Sequence, residues 1–455
     1  MFFVVKNRFS LCQFIYYMIC CMAFFLFYQQ VFVINIGASF KIYEFIAFVL
    51  LLGFCFAKHF KIYSVHSVIL FLLFVVVPTF SYIYYLFNAD KELYYIRFPD
   101  AITSFRTNIY LAPTILLLYY YFNWVTFNYI VSSKLVYINK RKIIRIFIVS
   151  GTLIAIYNFY ALIFIKLFGF PDLIPDFLDF RNSPTQVSGR FCGFSDEPGT
   201  YIVLQTWVVY YLFFYQRILN LKHILLLRII NVVALLMTFS SMLIPLVLIG
   251  CIAFFLKAKL KSRLIFIFVV FILVNVSVKL ISHYNLNNLF YYVVVEKVSN
   301  YFSPPDNTLD SGAYRSFTTR LGMKIFEEYP VLGCGGGASC FFIWKNENKV
   351  GIKQWQEVLS STSYPQNCYS KVFAELGILG GILLITFFVF ILIKCWKYRK
   401  INSLCNTSFW GTLCIMVIMN SVYPETSLYL WFNIALVANE LFFIEKMKIM
   451  KYELL

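Results

Sequence analysis

Long apolar runs separated by short polar stretches dominate the sequence. Runs of roughly 17 to 25 apolar residues, the length at which a helix crosses a bilayer, recur along the chain. The pattern predicts an all-α integral membrane protein with about 12 transmembrane helices, formed by a single polytopic domain over residues 1–455. The runs begin at Phe9, Lys41, Ser64, Leu111, Ile146, Thr200, Ile224, Met242, Leu264, Ser370, Thr407 and Ser427.

The composition indicates that the bilayer is the main solvent of the chain. Hydrophobic residues make up 61% of the 455 residues and charged residues only 13%, which is more apolar surface than one soluble core of this length hides. The first run, from Phe9 to Tyr28, follows Lys6 and Arg8 and lacks a small-residue cleavage site. We therefore expect a retained helix here.

The basic residues predict the orientation of the chain. Lys and Arg number 39 against 21 Asp and Glu, and positively charged loops stay on the cytoplasmic side of a membrane. No nucleic-acid-binding motif accompanies this charge. Residues 224–256 form either one long tilted helix or a hairpin that turns near Ser240 and Ser241. Only the hairpin keeps all basic connections on one side, so we expect two crossings here, and both termini are then cytoplasmic. The connections are Lys58 with Lys61, Lys134 to Arg145, Arg217 with Lys222, Lys257 to Arg263, and Lys394 to Lys400.

The opposite, periplasmic side receives three sizeable loops, at about residues 86–110, 169–199 and 283–369. The last is the largest and lies between helices 9 and 10. The 12 Cys form no C-x-x-C pair and the 4 His are scattered, so we predict neither a metal site nor a disulfide framework. External chemistry is therefore expected from polar residues of these loops.

The loop after the fifth span contains Arg181, Arg190, Asp196 and Glu197. A guanidinium binds phosphate oxygens in bidentate fashion, which an ammonium does not, so Arg190 is a candidate for binding an anionic substrate. The alternative is that Arg190 only reaches lipid headgroups at the end of a span, and that Glu197 is a loop carboxylate paired with it.

The largest loop places Tyr314, Arg315 and Arg320 in a stretch whose apolar residues recur at helical spacing until Pro330. The spacing predicts an amphipathic helix along the membrane interface. A glycine run at 333–337 follows, which is typical of a flexible turn and resembles a phosphate-binding loop only weakly. Either arginine of this helix is a candidate for approaching a lipid-linked anion.

A further polar stretch precedes the tenth span. Gln366 and Asn367 come first, and Lys371 and Glu375 follow at a spacing that lets them pair on one helix face. A carboxylate inside a span is a candidate functional group. Gly377, Gly380 and Gly381 would allow a neighbouring helix to approach closely.

These stretches, in this order, resemble the superfamily of O-antigen polymerases and ligases, the Wzy and WaaL type of polytopic glycosyltransferases. Arg190 to Phe194 with Glu197-Pro198 is similar to the family's Arg-x-x-Gly segment. Thr238 to Ser241 resembles its Thr-x-Ser-Arg hairpin, with serine in place of the arginine. Arg320 to Gly335 is similar to its arginine-led helix and Pro-hydrophobic-hydrophobic-Gly-x-Gly turn. The resemblance covers roughly residues 180–385.

One departure from the family pattern separates its two branches. Ligases have His-Asn followed after nine residues by Gly-x-x-Gly, and this chain keeps the spacing with Gln366 in place of the histidine. An amide does not act as a general base, so the departure favours the polymerase branch. A ligase, a capsule or exopolysaccharide polymerase and a lipid-linked-oligosaccharide flippase or transporter remain alternatives. A flippase usually has two related halves with short loops, whereas polar sequence here is concentrated in one loop.

The resemblance implies a GT-C-like membrane glycosyltransferase of the bacterial inner membrane that needs no metal or other cofactor. Its substrates are oligosaccharide repeat units on undecaprenyl pyrophosphate, joined at the periplasmic face among membrane lipids and with a chain-length regulator protein as partner. The residues that it implies as catalytic are Arg190, Arg320 and Glu197, with Asp196 and Glu425 as rivals to Glu197. Those that it implies for binding pyrophosphate or sugar are Arg315, Arg181, Tyr314, Gln366 and Asn367.

Overall fold

A computed structural model describes most of the chain. The described residues are 10–35, 39–55, 64–89, 91–99, 108–174, 191–195, 197–238, 240, 242–257, 263, 299–300, 311–350, 359, 363–422 and 426–453. Several predictions concern residues outside these ranges. They are the predicted span from Leu264, most of the loop from 169 to 199, and the side chains of Arg181, Arg190, Asp196, Ser241 and Glu425.

Helices form nearly all regular structure in the described residues. The exception is an antiparallel ribbon in which Ile34–Asn35 pairs with Ser39–Phe40, a small element that the all-α prediction lacks. The α-helices are α1 Leu11–Phe25, α2 Ile42–Cys55, α3 Val65–Phe71, α4 Val77–Asn88, α5 Lys91–Arg97, α6 Leu111–Ser132, α7 Lys134–Tyr160, α8 Pro198–Phe214, α9 Gln216–Leu219, α10 Ile224–Leu236, α11 Leu243–Lys257, α12 Ser311–Glu328, α13 Cys340–Ile343, α14 Cys368–Tyr398, α15 Ser403–Ile418 and α16 Leu428–Glu453. Short π-helical turns connect α3 to α4 and extend α7 to Leu167, and a 3-10 helix, Trp344–Val350, follows α13.

The membrane class that the apolar runs predict agrees with these helices. Four helical segments are long and apolar enough to cross a bilayer, namely Val65–Asn88, Lys134–Leu167, Cys368–Tyr398 and Leu428–Met447, and shorter apolar helices accompany them in the described residues. Each predicted span that lies within the described residues coincides with a helix. The total of about 12 crossings and the cytoplasmic position of the termini stay predictions.

The basic stretch from Lys134 to Arg145 is helical, which corrects the prediction of a loop there. Only Ser133 separates α6 from α7, and its side-chain oxygen accepts a hydrogen bond from the backbone N–H of Val136 at 3.2 Å. Hydropathy excludes charged residues from a predicted span, but Lys and Arg are good helix formers. The helix therefore begins 12 residues before the predicted start at Ile146.

Residues 224–256 form two helices with a break between Leu236 and Leu243, at the predicted turn. At this break the backbone N–H of Phe191 donates to the carbonyl of Met237 at 3.3 Å. The far end of α11 lies beside Ile218 and Trp396, with which Leu256 lines a common cavity. The start of α10 and the end of α11 both lie near α9, so α10 and α11 run in opposite directions.

Polar contacts tie the helices together at two opposite ends of the bundle. At one end Lys140 pairs with Glu440, and Arg145 donates to the carbonyl of Leu219 at 3.0 Å. We call this the basic end. At the other, which we call the site end, Gln29 and the segment 191–195 meet, with the Gln29 backbone N–H donating to Phe194 O at 3.1 Å. Helix ends alternate between the two as the chain proceeds.

Buried apolar side chains form two clusters. The larger runs through the bundle from α1 to α16. The smaller lies at the site end, where Phe317, Leu321 and Ile325 of α12 pack with Tyr85 of α4 and Phe341 of α13. We call α12, α13 and the turn between them the cap. The apolar face of the predicted amphipathic helix is thus covered by protein, and α12 packs along α14.

Candidate functional site

A polar cavity of about 180 Å³ opens at the site end between five segments of the chain. It brings together Glu197 and Gln366, two predicted site residues that are far apart in sequence. Loops that the sequence predicts at the opposite side from the basic clusters supply much of its wall. The polar residues lining it include Gln29, Lys41, Glu197, Thr200, Gln366 and Ser427.

Glu197 reaches the cavity because the chain turns sharply before α8. Gly193 has φ +63°, in the left-handed region that glycine adopts without strain, and its N–H donates to Asn158 Oδ1 at 2.9 Å. Pro198 then begins α8, a position where its missing N–H costs nothing. Glu197 is exposed and has no ion pair or hydrogen bond from its side chain among the described residues.

Gln366 directly precedes Asn367, the N-cap residue of α14, and a backbone hydrogen bond fixes its position. The N–H of Gln366 donates to Thr318 Oγ1 of α12 at 3.3 Å. The next residue, Asn367, caps α14, since its side-chain oxygen accepts from the N–H groups of Tyr369 and Ser370 at 2.9 and 3.2 Å. Gln366 lines the cavity. Asn367 is predicted to bind substrate, but its side-chain amide oxygen is already used for capping α14.

The stretches that carry the family resemblance meet around this cavity. A Cβ added to Gly199 would lie 2.9 Å from Val422 and 3.1 Å from Met242, which directly follows the Thr238 to Ser241 stretch. The N–H of Cys368 donates to the carbonyl of Val422 at 3.1 Å. Three separate motifs, in the loop before α8, the break before α11 and the start of α14, therefore pack against one another.

The two arginines of α12 lie on different faces of the helix. Arg315 is half-buried and is three and four residues before Thr318 and Thr319, which contact the start of α14. Arg320 is exposed and has no partner among the described residues. Helical spacing turns it away from the face of Thr318. The structure thus places Arg315 nearer to the packed face and Arg320 toward solvent.

Tyr314, also predicted to bind substrate, is on the inner side of α12. Its hydroxyl is 3.1 Å from Ser363 Oγ. Burial raises the pKa of Tyr314, partly offset by the hydrogen bond with Ser363. The phenol is therefore neutral at physiological pH and acts as a hydrogen-bond donor and acceptor.

The glycine run binds a carboxylate of the chain itself. Glu375 is fully buried, and its two carboxylate oxygens accept from the N–H of Gly337 at 2.8 Å and the hydroxyl of Ser339 at 2.7 Å. One backbone N–H and one hydroxyl therefore bind the carboxylate, one on each oxygen. The anion that the glycine run binds in this structure is thus the carboxylate of Glu375. The Nζ atom of Lys371 lies 4.8 Å from the centre of the Tyr364 ring.

The turn that holds Glu375 depends on two glycines. Gly377 has φ +63° and interrupts α14, and the N–H of Ile378 donates to Pro330 O at 2.8 Å across the break. Gly333 has φ +73°, and a Cβ there would lie 2.2 Å from the backbone of Glu375. The close approach at Gly377 is therefore made by the turn after α12, and not by a neighbouring helix as predicted.

The cysteines of the cap are buried next to this carboxylate. Burial raises the pKa of the Cys340 thiol to about 12, and the nearby charge of Glu375 adds to the effect. Burial likewise raises the pKa of Cys334 well above its usual range. Both side chains stay protonated and unreactive at neutral pH. Among the described residues, no group of His, Cys, Asp and Glu side chains is placed to hold a metal ion.

Of the residues that line the cavity, sequence reasoning named Glu197 and Gln366 as candidates but did not name Gln29 and Lys41. The available signal was modest: Gln29 and Gln30 form a polar pair at the end of the first apolar run, and Lys41 starts the second. Polar residues at the ends of spans are common, so the pattern alone does not distinguish a site from a membrane boundary.

A comparison with known families agrees with the resemblance. The family model described as O-antigen ligase matches residues 224–385, about a third of the chain. The matched stretch runs from the start of α10 into α14 and includes the cap, Gln366 and Glu375. No curated protein matches the chain. The family match supports a place for this chain in the superfamily of O-antigen polymerases and ligases, whose members are membrane glycosyltransferase-like enzymes, without separating polymerase from ligase.

Proposed function

We propose that this protein is an O-antigen polymerase, or a polymerase of a related surface polysaccharide. It joins repeat units carried on undecaprenyl pyrophosphate at the periplasmic face of the bacterial inner membrane. The observation that carries the proposal is the position of Gln366, which lines the same cavity as Glu197. The residue in the place of the ligase histidine is thus an amide at the site itself, and an amide does not take up a proton from an attacking hydroxyl.

The reaction is the transfer of a glycosyl chain from a diphosphate to a hydroxyl. The acceptor sugar oxygen bonds to the anomeric carbon of the donor chain, the bond from that carbon to the diphosphate oxygen breaks, and undecaprenyl pyrophosphate leaves. The hydroxyl proton passes to a base, for which Glu197 is our choice. A carboxylate in this role contributes about 10²- to 10⁴-fold to the rate.

The leaving diphosphate gains negative charge as the bond breaks. Fixed guanidinium groups that face it stabilise the transition state more than the ground state. Arg315 and Arg320 of α12 are the candidates within the described residues, and Arg190 and Arg181 are further candidates from the loop before α8. Loss of one such contact lowers the rate on the order of a hundredfold, or about 3 kcal/mol.

The test is a gel of surface polysaccharide from cells that lack the gene, complemented by the wild type or by Arg320→Ala. Polymerase activity predicts that the deletion strain loses the ladder and keeps a lipid A core band bearing one repeat unit. Bare core with lipid-linked polymer accumulating would mean a ligase, and bare core with unpolymerised lipid-linked units inside the cell would mean a flippase.

A matched variant shows whether polymerisation depends on Arg320 itself or only on the positive charge of α12. Lys324→Ala removes a partly exposed cation of the same helix, whose ion-pair partner among the described residues is the neighbouring Glu327. We expect full ladders from Lys324→Ala and short or absent ladders from Arg320→Ala at equal protein levels. A full ladder from a correctly inserted Arg320→Ala protein would remove Arg320 from the site.

A further inference from the structure

Gln29 lines the cavity and has an amide that is unpaired within the described residues. Its side chain is fully buried, and neither the amide nitrogen nor the amide oxygen has a hydrogen-bond partner among the described residues. Its backbone is fixed by the hydrogen bond to Phe194 O at 3.1 Å. Buried amides in native proteins are almost always paired. An unpaired amide in the wall of a polar cavity is therefore a group that a bound molecule would satisfy.

The remaining wall favours a neutral, hydroxyl-rich ligand over a diphosphate. Among the described residues it offers one ammonium and one carboxylate, from Lys41 and Glu197, together with the hydroxyl side chains of Thr200, Thr426 and Ser427. A diphosphate requires an excess of cations, and Glu197 would repel it. Sugar hydroxyls both donate and accept hydrogen bonds, as amide, hydroxyl and carboxylate groups require of their partners.

The size of the cavity fits one end of a larger substrate. Its volume of about 180 Å³ equals that of about six water molecules at roughly 30 Å³ each. Pockets that enclose a whole drug-sized ligand measure about 300–1,000 Å³. The cavity therefore has room for about one sugar ring, while the rest of a lipid-linked substrate stays outside.

We infer that this cavity is the subsite for the acceptor sugar and that Gln29 determines which hydroxyl pattern it accepts, through donation from its NH₂ group and acceptance by its carbonyl oxygen. The inference deepens the proposed function and rests on it for the identity of the sugar as acceptor. The diphosphate of the donor binds elsewhere, among the arginines.

The experiment measures binding to purified full-length protein in lipid nanodiscs by calorimetry. One probe is the free oligosaccharide released by mild acid from the lipid-linked repeat unit of the same strain, and the other is inorganic pyrophosphate. The variant is Gln29→Met, which keeps the shape and removes both polar atoms. We expect the oligosaccharide to bind the wild type and to bind Gln29→Met roughly tenfold more weakly or worse. Pyrophosphate binding should not change.

Asn123→Leu is the matched control. Asn123 of α6 is as buried as Gln29 and its amide is equally unpaired in the described residues, but it does not line the cavity. Both variants should raise or preserve the thermal unfolding temperature, since each removes an unpaired buried amide. Only Gln29→Met should lose oligosaccharide binding. A purely structural Gln29 would instead give a variant with altered stability and unaltered binding.

The outcomes separate this inference from the proposed function. Equal oligosaccharide binding by Gln29→Met and wild type, or no binding by the wild type, overturns the sugar subsite even if the cells make polymer. Loss of pyrophosphate binding in Gln29→Met overturns it as well, because the cavity would then hold the diphosphate. Gln29-dependent oligosaccharide binding in a protein that makes no polymer supports the subsite and refutes the polymerase.

Discussion

The two ends of the helix bundle differ in whether selected polar side chains have partners. Buried or half-buried charges at the basic end are paired with one another, whereas three polar side chains that line the cavity at the site end are not paired among the described residues. At the basic end Lys140 pairs with Glu440, whose other oxygen accepts from Asn402 at 2.6 Å, and Lys394 pairs with Glu445. At the site end the side chains of Gln29, Glu197 and Gln366 have no partner among the described residues, although they line one cavity.

This difference separates groups that hold the fold from groups that are available to a ligand. Paired charges between α7, α14 and α16 fix the helices relative to one another at the basic end. An unpaired buried polar group costs free energy, so the unpaired amide of Gln29 beside Glu197 and Gln366 in the wall of one cavity indicates a role in binding or catalysis. Substitutions of the unpaired side chains of the cavity should therefore change activity, and substitutions of the paired charges at the basic end should change stability.

The largest effect is expected for Glu197→Gln, which keeps the shape and removes the proposed base. The polymerisation rate should fall by about 10²- to 10⁴-fold, with an unchanged unfolding temperature because Glu197 is exposed. The rate is measured on lipid-linked repeat units with purified protein. Glu327→Gln, another exposed carboxylate, serves as the control, and an equal loss in both variants would contradict the assignment.

The second effect concerns the basic end. Lys140→Ala leaves the buried Glu440 carboxylate with Asn402 as its side-chain partner among the described residues, which should cost on the order of 3 kcal/mol of stability. Unfolding in detergent, followed by circular dichroism, measures the loss, while the rate per folded molecule should match the wild type. The exposed Lys142, two residues further along α7, provides the control, and Lys142→Ala should shift stability by less than about 0.5 kcal/mol.

The third effect compares Arg315→Ala with Arg315→Lys. Alanine should lower the rate on the order of a hundredfold, and lysine should restore only part of it, because an ammonium does not bind a diphosphate in bidentate fashion. Initial rates at saturating substrate measure the difference. Full activity of the lysine variant would mean that Arg315 supplies charge alone, and full activity of the alanine variant would remove Arg315 from the site.

The smallest effect is expected for Gly333→Ala, which strains the turn that holds Glu375. A Cβ at this φ of +73° and against the Glu375 backbone should cost at least about 1–2 kcal/mol. The cap should then open more often and expose Cys334 and Cys340, whose thiols are buried in the native cap. The rate of maleimide labelling at pH 8 measures this opening.

A second glycine, Gly250, provides the control for Gly333→Ala. A Cβ on Gly250 of α11 would meet no atom within 4 Å, and alanine favours a helix over glycine. Gly250→Ala should therefore leave the labelling rate unchanged and preserve or raise stability. Unchanged labelling of Gly333→Ala as well would show that the turn tolerates a side chain and that the cap does not depend on it.

Local patterns explain how much of the fold was predictable. Apolar runs predicted the helices, the need to keep all basic connections on one side predicted the break between α10 and α11, and helical spacing up to Pro330 predicted α12. The start of α7 was wrong because hydropathy is insensitive to a helix that continues through charged residues. The apolar runs and the helical spacing can each be recognised within about 20 neighbouring residues.

The site was less predictable because its contacts are long-range. The hydrogen bond of Glu375 to Gly337 joins residues 38 positions apart, and nothing in either local sequence identifies the other. Gln29 lies near Glu197 only because α1 ends beside the segment 191–195. The predicted residues came from a family resemblance, and residues outside its motifs, such as Gln29 and Lys41, became candidates only through the cavity.

The most direct test of the difference between the two ends is the polymerisation rate per folded molecule, measured side by side for Glu197→Gln and Lys140→Ala. The account predicts a rate at least about 100-fold below wild type for Glu197→Gln and a wild-type rate for Lys140→Ala. A wild-type rate for Glu197→Gln, or an equal loss in both variants, would contradict the claim that the site-end cavity performs the chemistry.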